Sequence, residues 1–83
     1  MKLNMVYFAR LKDSFGTSQE SLETDATSVA ELLVELRQRG GSWATELGHG
    51  KTFRVACNQE LAGPDSALRD GDEVAIFPPV TGG

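Results

Sequence analysis

The sequence holds one cysteine, Cys57, among 83 residues. One thiol cannot close a disulfide within the chain, so a reducing, cytoplasmic location is expected. There is also one histidine, His49, in the stretch GHGK. A lone Cys and a lone His cannot supply a zinc site of ordinary ligand spacing, and no bound metal is expected. They do not form a visible nucleophile–base pair, and GHGK lacks the spacing of a phosphate-binding loop. No run approaches the roughly 20 apolar residues that span a bilayer, so no membrane association is expected. The opening MKLNMVYFAR, interrupted by Asn4, is too short and polar for the core of a signal peptide. Eight Lys and Arg stand against twelve Asp and Glu, a net charge of −4. The cations are scattered without a basic stripe, which argues against nucleic acid as a partner. An acidic surface fits solubility or a partner with a basic face.

What is present is an ordinary globular mixture, 40% hydrophobic and 24% charged. A domain of this size buries only about 60% of the surface that its unfolded chain exposes, so modest stability is expected. LNMVYFA, near the start, is rich in strand-forming residues. LKDSFGTS follows with Asp13, Ser14 and Gly16 and reads as a hairpin loop. QESLETD then returns as a polar second strand. Ser28 and Glu31 have the spacing of a capping box. Val29, Leu32, Leu33 and Leu36 recur at helical intervals after it. Arg37 and Arg39 suit the negative end of that helix, and Gly40 suits a left-handed terminal position. SWATELG adds a short helical turn, with Trp43 and Leu47 expected to cover the sheet edge.

TFRVACN alternates Phe53, Val55 and Cys57 against Thr52, Arg54 and Ala56, the period of a strand with one buried face. Asn58-Gln59 turns it into a short return, Glu60-Leu61-Ala62. Two turn signals, Gly63-Pro64-Asp65 and Asp70-Gly71-Asp72, precede EVAIF, and Pro78 ends that strand for want of an N–H. The order β, β, α, β, β, β, with the first and last strands side by side and parallel, is an α+β, ubiquitin-like β-grasp: a mixed sheet packed on one main helix. Residues 1–77 form the expected domain, and residues 78–83 an extended tail.

Alternation assigns each strand a buried and an open face. Leu3, Met5, Tyr7, Val74 and Ile76 face the helix. Val6, Phe8, Ala75 and Phe77 face away, where polar residues are the rule. Phe8, Phe77 and Leu61 on that face suggest a docking patch. The competing expectation is that the aromatics fill a gap beneath a loop.

The closing segment, FPPVTGG, is the most distinctive. Pro78-Pro79 fixes two φ angles and favours a polyproline-like path. Residues 78 to 83 can then extend roughly 20 Å at ~3.1–3.3 Å per residue. Restricted prolines lose less entropy on entering a partner. Val80 offers an apolar anchor, and Gly82 and Gly83 lack the Cβ that would block a narrow channel. A carboxylate at Gly83 is unreactive until converted to an acyl-adenylate. It can then accept a sulfur nucleophile to become a thiocarboxylate, or an amine to become a conjugate. The chain is then a carrier whose catalytic groups lie on its partners.

Residues 70–83, DGDEVAIFPPVTGG, resemble the ends of the small, sulfur-carrier subunits of molybdopterin synthases. VYFARLKDSFG, TSVAELLVELR and ACNQEL extend the resemblance over most of the chain, while residues 37–52 match weakly. The resemblance implies a β-grasp fold and a non-catalytic subunit of a sulfurtransferase complex. It implies that Gly83 is adenylated by a ubiquitin-activating-type adenylating enzyme, which uses ATP, and is then thiocarboxylated. The tail, Pro78, Pro79, Val80, Thr81 and Gly82, would enter the large subunit of molybdopterin synthase, with Phe8, Leu61 and Phe77 at the interface. Sulfur would pass to a cyclic pyranopterin monophosphate to build the molybdopterin dithiolene. Two small and two large subunits would form a heterotetramer, with no cofactor bound by this chain. Cys57 stands where these proteins commonly have an aliphatic residue, and Ile76 replaces a frequent aromatic. Other carriers for thiamine, cysteine or tRNA thiolation, a ubiquitin-like protein modifier, and an inert binding module share parts of this pattern.

Overall fold

The computed structural model describes residues 1–79. Its elements run β1 (Lys2–Tyr7), α1 (Arg10–Phe15), β2 (Gln19–Glu23), α2 (Val29–Arg37), α3 (Gly41–Glu46), β3 (Arg54–Cys57), β4 (Glu60–Ala62) and β5 (Glu73–Phe77). The five strands form one sheet in the order β2-β1-β5-β3-β4. β1 and β5 are parallel, with Asn4 opposite Glu73 and Tyr7 opposite Ile76. The other pairs are antiparallel. This is the β-grasp arrangement expected from the order of elements.

The helix-facing side carries the core. Leu3, Met5, Tyr7, Val74 and Ile76 are buried beneath Val29, Leu32 and Leu36 of α2. The Ser28 hydroxyl accepts a hydrogen bond from the Glu31 N–H at 3.3 Å. Glu31 reaches back one residue beyond the usual box, its Oε1 accepting from the Thr27 N–H at 2.7 Å and the Thr27 hydroxyl at 2.9 Å. The amides left unpaired at the start of a helix thus gain local acceptors.

Two readings of the sequence are corrected here. The segment after β1 is not a simple hairpin loop, because residues 10–15 form α1 and bury Leu11. Gly16, at φ 75° and ψ 12°, ends this turn in the left-handed conformation. Gly40 does have positive φ, but its ψ of −171° is extended, not left-handed helical, and it leads directly into α3. A residue with a Cβ is disfavoured there.

α1 and α3 meet through aromatic rings. Phe15 stacks on Trp43 with centroids 3.8 Å apart, and Tyr7 meets both rings edge-on at 5.2 and 5.3 Å. The Arg39 guanidinium lies 4.4 Å from the Trp43 ring centroid. It also donates to both oxygens of Glu20, at 2.8 and 2.9 Å, while the Tyr7 hydroxyl donates to Glu20 Oε2 at 2.7 Å. Trp43 therefore packs over Tyr7 of β1, and Leu47 is buried in the core. The bidentate Arg–carboxylate fork is a strong, directional contact that links α2's end to the sheet.

The Arg39 hydrogen bonds hold the Glu20 carboxyl below its ordinary pKa, helped by Tyr7 and opposed by burial. A folded-state pKa below the unfolded one gives stabilisation that is complete above the unfolded value, about 4.3, and is lost as pH falls through the lower folded value. Glu20→Gln is therefore expected to be destabilised at neutral pH, and its deficit against the unmodified protein should shrink on acidification below about pH 4. Urea unfolding at a series of pH values checks this, and a deficit independent of pH would refute it.

Candidate functional site

The site begins with the face of the sheet that α2 leaves uncovered. Register places Val6, Ala75, Ala56 and Leu61 in one row across β1, β5, β3 and β4. The next row toward the end of β5 sets Phe77 opposite Arg54. Phe8 follows β1, and its N–H donates to the Ile76 carbonyl at 3.2 Å. Small alanines form the floor, and the large rings stand at one end. The result is a predominantly apolar trough of about 580 Å³, walled by Phe8, Phe77, Pro78 and Pro79 over Ala56 and Ala75. Phe8 is 50% exposed. The two alanines are nearly covered although no helix lies over them, because adjacent side chains shelter their short methyls.

Phe8, Phe77, Pro78 and Pro79 are thus brought together. Leu61 shares their face but stands at the margin, 75% exposed on the short edge strand β4 and outside the trough lining. It borders a neighbouring concavity with Cys57, Asn58 and Asp72. Val80, Thr81, Gly82 and Gly83 lie outside the described residues. Sequence reasoning missed Ala9, Gln59 and Glu73, which complete the rim of the trough.

Two rim residues have unusual backbones. Ala9, at the start of α1, has φ 54° and ψ −132°. Asn58 and Gln59, the two-residue turn between β3 and β4, have φ 51° and 71°. Positive φ at both positions is the signature of the tight hairpin turn whose twist matches the strands. Asn tolerates this conformation well, whereas Gln does not. Asp72 braces the turn. It accepts from Asn58 Nδ2 at 3.0 Å and from the Arg69 N–H at 2.9 Å, while Asn58 Oδ1 accepts from the Glu73 N–H at 3.0 Å.

Cys57 Sγ donates to Asp72 Oδ2 at 3.4 Å. Burial, then the Asp72 carboxylate, push the thiol's pKa up. A raised pKa disfavours the thiolate, the nucleophilic form. Cys57 is a packing residue beside the core, in keeping with its place on the helix-facing side of β3. His49 is exposed in the loop before β3. Among the described residues, no group of three or more His, Cys, Asp or Glu is arranged to hold a metal ion. None of the described helices is long and apolar enough to cross a membrane.

Residues 5–83 match the model of the ThiS family. The molybdopterin synthase sulfur carrier subunit of Haemophilus influenzae is 42% identical over 81 residues, covering 98% of this chain and 99% of that protein. Among solved structures, SAMP1 from Haloferax volcanii superimposes with a TM-score of 0.82 at 27% identity over the whole of both chains. The complex of subunits 1 and 2 of the molybdopterin-converting factor from Helicobacter pylori contains a chain that matches with a TM-score of 0.71 at 26% identity, again over the whole of both chains.

Gln59→Gly is expected to raise stability by about 0.5–1 kcal/mol, the relief of a left-handed Gln less the entropy of a new glycine. Phe8→Ala should cost about 1–2 kcal/mol, less than truncation of a fully buried Phe, because half of Phe8 is already exposed. Chemical denaturation measures both. A destabilised Gln59→Gly or a Phe8→Ala loss of several kcal/mol would contradict the description of the rim.

Proposed function

The chain belongs to the ThiS family, and from that premise we propose that it is the sulfur-carrier subunit of a molybdopterin synthase. The observation that carries this reading is the position of Pro78 and Pro79 in the wall of the apolar trough. A protein that fills the trough also lies beside the root of the tail. Docking and delivery of the terminus are then one event.

The partner in this reading is a second protein, the large synthase subunit, as in the two-subunit Helicobacter pylori complex. A ubiquitin-activating-type adenylating enzyme is the other. There the Gly83 carboxylate attacks the α-phosphorus of ATP, and pyrophosphate leaves. A sulfur nucleophile at the oxidation level of sulfide then adds to the acyl carbon, and AMP leaves with the electron pair of the broken C–O bond. The product is a thiocarboxylate at Gly83. The unbranched glycines leave that carbonyl open to attack from either face. In the large subunit the sulfur passes to a cyclic pyranopterin monophosphate, and two such transfers complete the dithiolene. A heterotetramer of two small and two large subunits provides the assembly. Val80, Thr81 and Gly82 thread the entry channel, and catalytic side chains belong to the partners.

A second reading is conjugation of Gly83 to amines of other proteins. Its support is the similarity to SAMP1, a small archaeal modifier protein. The two readings use the same acyl-adenylate and differ in the nucleophile that follows.

Incubation with ATP, a sulfur source and the cognate activating enzyme is expected to raise the intact mass by the replacement of one oxygen by sulfur. A chain lacking Gly83, or extended by one residue beyond it, should show no gain while keeping its thermal transition. No gain in the unmodified chain with an active enzyme would overturn the carrier reading. Covalent adducts resistant to reducing agents would mark the modifier.

A further inference from the structure

Cations gather where the tail leaves the domain. A second concavity adjoins the trough at Pro79 and is lined by Arg10, Gly50, Lys51 and Thr52. Arg54, two residues after Thr52, pairs with Phe77 of the trough and also borders a separate concavity with Phe53 and Pro64. All three cations are exposed. Arg10 donates to the Thr52 carbonyl at 3.3 Å, which ties α1 to the segment before β3. Glu46 faces them, its Oε1 3.5 Å from Arg10 Nε, and Asp13 lies one turn along α1 from Arg10. Three positive groups outnumber Glu46 and Asp13, which leaves an excess of positive charge at the tail's root on a chain whose net charge is −4. The remaining surface is therefore more acidic than the total suggests.

Resting on the carrier reading, we propose that Arg10, Lys51 and Arg54 form a cationic collar that receives an acidic rim around the channel of the large synthase subunit. The collar is continuous with the docking trough, because Pro79 lines both. An overall acidic chain alone favours partners with basic faces. At the point of entry the local charge reverses, so the partner's channel mouth must be acidic to be matched there. The rest of the acidic chain is repelled by such a rim, which leaves one favourable orientation, with the tail's root toward the channel. Charges at the margin of an interface act chiefly on encounter and its salt dependence, and less on dissociation. The collar is thus a device for orienting the tail before the apolar trough closes.

The test is the association of the full chain with its cognate large synthase subunit, followed by stopped flow over a range of NaCl concentrations. Arg10→Glu with Lys51→Glu is expected to slow association at low salt by about tenfold and to flatten its salt dependence, with dissociation changed less than about twofold. Lys51→Glu with Arg54→Glu keeps the Arg10–Thr52 bond and should behave alike. Lys2→Glu with Arg69→Glu makes the same change in net charge at the opposite end of the sheet and should have little effect. Equal slowing by that distal pair would overturn the collar in favour of a net-charge effect. Unchanged association in both collar pairs would also overturn it, and faster dissociation of Phe8→Ala in the same assay would show that the docking trough stands without it. Failure of the unmodified chain to bind the large subunit would remove the carrier reading and the collar together.

Discussion

The structure depends on the parallel pairing of β1 with β5. The Lys2 N–H donates to Asp70 Oδ1 at 2.7 Å across a sequence separation of 68 residues. The Gly71 N–H donates to the Lys2 carbonyl and the Asn4 N–H to the Asp72 carbonyl, each at 2.8 Å. Parallel neighbours cannot be joined by a tight turn, so most of the chain is the crossover between them. Closing so long a loop has an entropic cost that local contacts do not offset early in folding. In return, the two strands become the centre of the sheet, and their alternation serves both of its faces. One side supplies Leu3, Met5, Tyr7, Val74 and Ile76 to the core. The other supplies Val6, Phe8, Ala75 and Phe77 to the face that α2 leaves open. Pairing also fixes that the tail leaves beside Phe8, since both strands end at the same margin.

That common margin explains how a small domain keeps an apolar surface without losing its stability to it. The core is completed on the helix side by α2 and by the Tyr7–Phe15–Trp43 cluster. The trough is built from residues the core does not need. Its floor uses alanines, whose short side chains are covered by their neighbours, and its large rings stand only near the tail. Charges lie at its limits, Arg54 at the tail end and Glu73 toward the far end. The apolar area is thereby confined to the part of the face that an arriving protein would cover, which is how soluble proteins hold binding surfaces without general aggregation.

α2 and the first strand were legible because each is long enough for its period to show, and the later strands because turn residues and Pro78 bound them. α2 repeats an apolar stripe between a capping serine and a basic end, β1 alternates buried and open positions, and β5 is a short apolar run closed by Pro78. α1 was hidden because one turn and a half is too short for a period. Only Leu11 and Phe15 mark its apolar side, and Asp13, Ser14 and Gly16 carry the composition of a loop. The open-face patch followed from the same alternation, and Phe8 and Phe77 do stand together. Leu61 shares their face but not their trough, because β4 has only three residues and lies at the outer edge, a distance that face assignment cannot measure. The Asn58-Gln59 turn was legible, but neither Ala9 nor Gln59 signalled a place on the rim. Their positive φ angles are imposed by tertiary context on residues that do not favour them, and Asp72 holds the turn from a distant part of the chain. Strained backbone of this kind at the rim of a surface is a common feature of functional sites.

The carrier reading places a geometric demand on this arrangement. The trough fixes where a partner sits, and β5 fixes where the tail starts. The position of the terminus relative to the partner's reactive groups then depends on the number and conformation of the intervening residues. An extended residue advances the chain by about 3.1 Å, more than the tolerance of a reacting centre. Flexible residues throughout would spread the terminus over many positions, whereas proline restricts the path at its base. Stiffness is most useful at the root, where a small angular error is magnified by the remaining length. Freedom is most useful at the end, where a narrow channel supplies its own constraint. FPPVTGG has this gradient: aromatic anchor, two prolines, then residues of decreasing bulk. In the carrier reading, the parallel β1–β5 pair, the trough and the two prolines form one continuous reference frame at the root of the tail.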